Sequence, residues 1–163
     1  MRLLALDLST NVGWAFFARR DAEPVMSTWR APKASMENYG LRYHEFELWL
    51  ELLLDRYRPG VVAFEAPIMP RNPGKAHAAR LSFGFAAETE RIAYKRQLRC
   101  LECHFSTVKV RLAGSGKAKK RQMISAAIRR GYHVETEHEA DAIGVGLVAF
   151  DHIDPPQHEL VLR

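Results

Sequence analysis

Residues 1–17 read MRLLALDLSTNVGWAFF, and the acid at position 7 decides how the chain is read. Leu3, Leu4, Ala5, Leu6 and Leu8 are apolar on both faces of a predicted strand. A strand without a polar face is covered on both sides by other layers. An ionised carboxylate buried there costs several kcal/mol, roughly, unless a partner or a metal compensates it. The strand therefore belongs at the centre of a layered domain, and Asp7 requires a compensating group.

Working outward, Gly13–Ala18 and Val25–Arg30 read as second and third strands separated by short turns, an antiparallel meander. Tyr39, Tyr43, Phe46, Leu50, Leu53 and Tyr57 then recur at helical spacing, and Pro59-Gly60 ends that helix. VVAFE (61–65) is a fourth, buried strand. A proline-bordered loop leads to a helix over about 75–96 with Ala78, Leu81, Phe85 and Ile92 on one face, then to a fifth strand over about 98–105. The rest reads as helical: a short turn near 107–112, a helix over about 118–130 and a last helix over about 137–151. Thr136 and Glu139 have capping-box spacing at that last helix's start. This order predicts an α/β domain, a central mixed five-stranded sheet flanked by helices. With no repeat or linker in 163 residues, one domain over 1–163 is expected.

Composition is ordinary: 47 % hydrophobic and 26 % charged, with net charge +5. That excludes a disordered chain and is compatible with a polyanionic partner. No apolar stretch approaches the ~18 residues of a membrane span, and the N-terminus lacks signal-peptide shape, so a cytoplasmic protein without membrane contact is expected. The cysteines, Cys100 and Cys103, form CLECH, which matches a haem-attachment string or half a zinc site. No second pair supplies further ligands, and in a strand the two thiols face opposite ways, so both read as packing residues.

Glu65 repeats the oddity of Asp7, an acid ending an apolar strand. If the two strands are neighbours, the carboxylates repel each other unless a cation sits between them, and hard oxygen donors suit Mg²⁺ or Mn²⁺. The last helix, HEADAIG, adds His138 and Asp141, three apart on one face, with Glu137 sharing a face with Asp141. Such a cluster can hold two divalent ions ~4 Å apart and activate water against a phosphodiester.

From Thr107 to Val134 there is no Asp or Glu, whereas Lys109, Arg111, Lys117, Lys119, Lys120, Arg121, Arg129 and Arg130 all fall there. One-sign charge of this kind suits a phosphate backbone. The GSGK string is no P-loop: Arg111 stands where its first glycine belongs and Ala118 where Ser or Thr belongs. Arg71, Lys75 and Arg80 form a second basic set, and Ile68 and Met69 read either as loop packing or as an apolar wedge between bases.

Taken together, LALDLSTNVGWA, VVAFEAP, VKVRLAGSGKAKKRQMI and HEADAIGVGL resemble, in order and spacing, the RuvC-type Holliday junction resolvases of the ribonuclease H-like superfamily. The resemblance implies a metal-dependent endonuclease with Asp7, Glu65, His138 and Asp141 as metal and catalytic residues. His138 stands at a position that is Asp or His in the family. It further implies that Lys109 and Lys120 lie near the scissile phosphate, and that the family's junction-opening aromatic is replaced by Ile68. Two Mg²⁺ or Mn²⁺ ions per site, branched DNA as substrate and a homodimer follow as expectations. Phe83, Phe85 or the helix carrying Trp49 could form the dimer contact. The same cluster would also serve a hydrolase of RNA–DNA hybrids. LDLSTNVGWA further resembles the first phosphate motif of actin-like ATPases, a fold that needs two such domains.

Overall fold

The computed structural model describes residues 1–31, 38–70 and 72–154. The strands are β1 (Leu3–Asp7), β2 (Asn11–Phe17), β3 (Val25–Arg30), β4 (Val61–Glu65) and β5 (Arg99–Cys103). The helices are α1 (Tyr39–Tyr57), α2 (Ala76–Lys95), α3 (Phe105–Ala113), α4 (Lys120–Arg129) and α5 (Glu137–Ile153), with a 3₁₀ turn at Pro73–Lys75. The sheet order is β3-β2-β1-β4-β5. β1 pairs antiparallel with β2 and parallel with β4, so the sheet is mixed, with β1 at its centre as the sequence predicts.

Period-two alternation sorts the two faces of the sheet. Leu4, Leu6, Val12, Trp14, Phe16, Val62 and Phe64 pack beneath α1 and α2. Leu3, Ala5, Ala15, Phe17, Val61 and Ala63 pack beneath α3, α4 and α5. On the second face Ala5, Gly13, Ala15 and Ala63 are small, and α5 lies close against them. A Cβ at Gly13 would stand 2.0 Å from the carbonyl oxygen of His138, and one at Gly146 would stand 2.3 Å from Phe17 Cε2. Only glycine at both points lets the helix approach this closely.

Differences from expectation have local causes. The short helical turn expected near 107–112 is a nine-residue helix, α3, that starts two residues earlier, and β5 ends at Cys103 rather than near 105. The side chain of His104 accepts from the Ser106 amide, supplying an N-cap that Ser, Thr, Asp or Asn usually provides. Ala78 is exposed, because α2 buries Leu81, Phe85 and Ile92 along a narrower stripe. Cys103 is buried on the α5 face, while Cys100 is half-buried on the α1–α2 face, both as free thiols. No helix among the described residues is long and apolar enough to cross a membrane.

Candidate active site

β1 and β4 run parallel with Leu6 opposite Phe64, so the next residues, Asp7 and Glu65, end neighbouring strands at one edge. Alternation turns both toward the α5 face, where the first turns of α5 bring His138 and Asp141. The α5 N-terminus is fixed as its sequence predicts. Thr136 Oγ1 accepts from the Glu139 amide, while Glu139 Oε2 accepts from both the Glu135 and Thr136 amides. Thr28 of β3 adds a hydroxyl contact of 2.8 Å to Thr136. Glu139 is therefore a buried structural acid with its hydrogen bonds filled.

His138 Nδ1 lies 2.7 Å from Asp7 Oδ2, and Ser9 Oγ lies 3.3 Å from the same nitrogen. Burial pushes the Asp7 carboxyl up from its ordinary value, opposed by His138. The hydrogen bond to Asp7 in turn pushes the His138 imidazole up. Glu65 rises to about 8, through burial and then repulsion by Asp7 and Asp141. Asp141 rises to about 7, through burial and then Asp7. Its Oδ1 is buried without a hydrogen-bond partner. Three carboxyls thus share one buried spot and hold each other toward neutrality.

Lys109 of α3 is the cation that opposes the rise of both Glu65 and Asp141. Lys120, at the first turn of α4, is ion-paired with Glu137 and also lowers Asp7. Lys117, Lys119 and Arg121 are exposed around the α3–α4 connection and the start of α4. Arg111 is placed elsewhere: with Arg20 it clasps Asp151, near the far end of α5. Lys109 and Arg111 are two apart on a helix and so project in opposite directions. Arg71 lies outside the described residues.

A cleft of about 670 Å³ opens beside the acids, with Asp7 and Glu65 at its base and Ile68, Met69, Lys75 and Phe105 around it. Ile68 is 52 % exposed and Met69 75 %, so neither is packed into the loop's own core. Ser9, Glu137 and Phe105 belong to the site although the sequence assigns them no role. Ser9 lies in the turn between β1 and β2, while Glu137 and Phe105 are placed by the starts of α5 and α3, and only the spacing of Glu137 to Asp141 hinted at this.

In this arrangement no three His, Cys, Asp or Glu side chains among the described residues close on one point that would hold a metal ion. The donor set nonetheless suits a hard divalent cation. It offers three carboxylates and an imidazole, with one carboxylate oxygen unpartnered and two pKa values lifted by burial and then by neighbouring carboxylates.

Sequence comparison matches no family model and no curated protein. Comparison of structures does find similar folds. A Thermus thermophilus RuvC structure superposes with a TM-score of 0.70 at 20 % identity, covering 94 % of this chain and 96 % of that one. A structure of the same protein in complex with Holliday junction substrate gives 0.71 at 20 % identity, covering 90 % and 91 %. A fowlpox virus resolvase in complex with Holliday junction DNA gives 0.58 at 14 % identity, covering 92 % and 99 %. The fold is thus the ribonuclease H-like fold of these resolvases, with the mixed five-stranded sheet predicted above.

Proposed function

We propose that this chain is a divalent-metal-dependent endonuclease that cleaves four-way or otherwise branched DNA. The observation that carries the reading is the meeting of Asp7, Glu65, Asp141 and His138 at one sheet edge, with Lys109 and Lys120 beside them. Resolvases with the same fold, two of them bound to junction DNA, support the substrate class.

Asp7, Glu65 and Asp141, with His138, would hold two Mg²⁺ or Mn²⁺ ions. When bound, such ions lower the pKa of a water nucleophile and stabilise the leaving oxygen of an in-line displacement. The remaining work falls to side chains. Asp7 holds the His138 ring in one orientation through the Nδ1 contact. Lys109 supplies positive charge next to Glu65 and Asp141, where phosphate negative charge must be accommodated. Lys120 exchanges Glu137 for a phosphate oxygen as DNA docks. Lys117, Lys119, Arg121 and Lys75 extend the cationic track along the backbone. Ile68 and Met69, exposed at the cleft, offer an apolar edge against unstacked bases. Symmetric cutting of a four-way junction needs two such sites, so the active species is a homodimer.

The test is a cleavage panel in Mg²⁺ and in Mn²⁺ on an immobile four-way junction, a fork, linear duplex, single strand and an RNA–DNA hybrid. Paired nicks in opposed strands of the junction are expected. Cutting confined to the hybrid would keep the metal site and reject the substrate; no cutting in either metal would reject both.

A further inference from the structure

The sheet row that carries Asp7 and Glu65 continues past both acids to the edge of the sheet. Thr28 pairs with Gly13 and Gly13 with Asp7, while Glu65 stands one step beyond the Leu6–Phe64 pair. By alternation Thr28, Gly13, Asp7 and Glu65 all turn toward α5. Three of the four meet the same turn of that helix. Asp7 holds the His138 ring at 2.7 Å, and the Gly13 backbone lies against the His138 carbonyl. Thr28, on the edge strand β3, reaches Thr136 Oγ1 at 2.8 Å and Glu139 Oε1 at 3.4 Å.

Thr136 and Glu139 are the two halves of the α5 capping box, and the Thr28 hydroxyl closes their hydrogen bonds into a ring. Thr136 Oγ1 accepts from the Glu139 amide and gives its proton to Thr28, which gives its own to Glu139 Oε1. Glu139 Oε2 is already filled by the Glu135 and Thr136 amides. Glu139 is only 5 % exposed, which leaves little room for water to replace a lost partner. A capping box needs no third residue. What Thr28 adds is a tie between the box and the sheet. His138 follows Thr136 by two positions and Asp141 by five, so whatever fixes the box fixes both.

We infer that Thr28 is a positioning residue for the acid cluster. Its hydroxyl ties the first turn of α5 to the sheet row that carries Asp7, and so sets where His138 and Asp141 stand relative to Asp7 and Glu65. The consequence for metal binding rests on the proposed nuclease reading; the positioning does not. Removing a hydrogen-bond partner behind a metal's ligands typically weakens metal binding by ~10–100-fold.

The experiment is amide hydrogen exchange by NMR on the full chain in EDTA, which uses neither DNA nor metal and so fails independently of the cleavage panel. Thr28→Val keeps the shape and loses the hydroxyl, whereas Thr28→Ser keeps the hydroxyl. In Thr28→Val the amides of Glu135, Thr136, Glu139 and Ala140 should exchange about 10-fold faster than in wild type, and the His138 ring signals should move. Val145, Leu147 and Val148, in the middle of α5, should keep their protection. Thr28→Ser should restore the wild-type pattern, and Ser27→Val, on the opposite face of β3, should leave it untouched. Mn²⁺ titration followed by electron paramagnetic resonance should then show a dissociation constant raised about 10-fold in Thr28→Val and restored in Thr28→Ser. Wild-type protection in Thr28→Val, loosening spread evenly along α5, an unmoved His138 ring or a serine variant as loose as the valine would overturn the inference. So would measurable and equal Mn²⁺ affinities in wild type and Thr28→Val. A wild type that binds no Mn²⁺ would reject the proposed metal site, and the exchange pattern alone would then uphold or overturn the role of Thr28.

Discussion

The two faces of the central sheet are built from opposite materials. Under α1 and α2 the sheet presents bulk, with ring contacts in two sets: Trp14 and Phe16 against Tyr57, and Trp29, Phe46, Trp49 and Phe85 against one another. Under α5 it presents Ala5, Gly13, Ala15 and Ala63, with Asp7 and Glu65 at the end of the same rows. Large side chains fill space and tolerate relaxation around them. Small ones bring a helix backbone onto a strand backbone with little freedom left. The acids sit on the tightly fitted face because their chemistry requires fixed separations, while Leu3, Phe17 and Val61 on the same strands and the rings opposite supply the burial.

A crossed pair of substitutions breaks this division of labour most sharply. Asp7→Asn keeps shape and removes a charge from the fitted face. Cleavage should fall by at least ~10³-fold, as expected when a metal ligand is lost, while junction binding and melting temperature hold. Phe46→Ala removes a fully buried ring stacked 4.4 Å from Phe85 and should cost about 3–5 kcal/mol of stability. Cleavage per folded molecule, measured at 20 °C against active-site titration, should be unchanged. If Phe46→Ala changed the metal requirement, or Asp7→Asn abolished junction binding, the two faces would not be separable.

The division was legible where burial and charge conflict in one strand. LALD and AFE each place an acid at the end of a fully apolar run, and no packing argument accounts for that. The start of α5 was legible because Thr136 and Glu139 carry a capping box of side chains. Two features were only partly legible. α3 read as no more than a short helical turn because its TVKV segment is rich in β-branched residues and its cap is the imidazole of His104. The cation block hid its own division for a related reason. Counted by charge alone, Lys109 and Arg111 read as one patch, whereas the full helix sends Lys109 to the acids and Arg111 to Asp151. A charge run states what is present and leaves its direction to the secondary structure.

The fitted face also carries a stability debt that a second substitution would expose. Glu65 and Asp141 have folded pKa values of about 8 and about 7, above the ordinary 4.5 and 3.8. The folded, metal-free protein therefore keeps protons that the unfolded chain has already released. Its stability is greatest below the unfolded values and falls as pH rises through the folded ones, by up to about 1.4 kcal/mol per pH unit for each group. Glu65→Gln removes one such group. In EDTA at pH 8 the variant should be more stable than wild type by about 2 kcal/mol, and the gap should close toward pH 4.5. Mg²⁺ should raise the melting temperature of wild type more than that of the variant. Equal denaturation profiles in EDTA across this range would mean the acids are better solvated than their burial implies.

The smallest effect separates the two ends of α5. Lys120 is 74 % exposed and ion-paired with Glu137, so its loss leaves packing intact. Lys120→Ala should weaken junction binding about tenfold or less and reduce the slope of log affinity against log salt by about 1, the signature of one phosphate contact. Arg111 is tied to Asp151 beside Arg20, and its loss leaves a half-buried carboxylate with one cation fewer. Arg111→Ala should therefore destabilise the fold by about 1 kcal/mol and leave the salt slope where it was. The two lysine-block cations would then be told apart by salt alone. A reduced slope for Arg111→Ala would mean that DNA reaches past the first turns of α5 and competes with Asp151 for the guanidinium. An unchanged slope for Lys120→Ala would mean that the Glu137 ion pair persists in the complex, and the phosphate beside the acids is then left to Lys109.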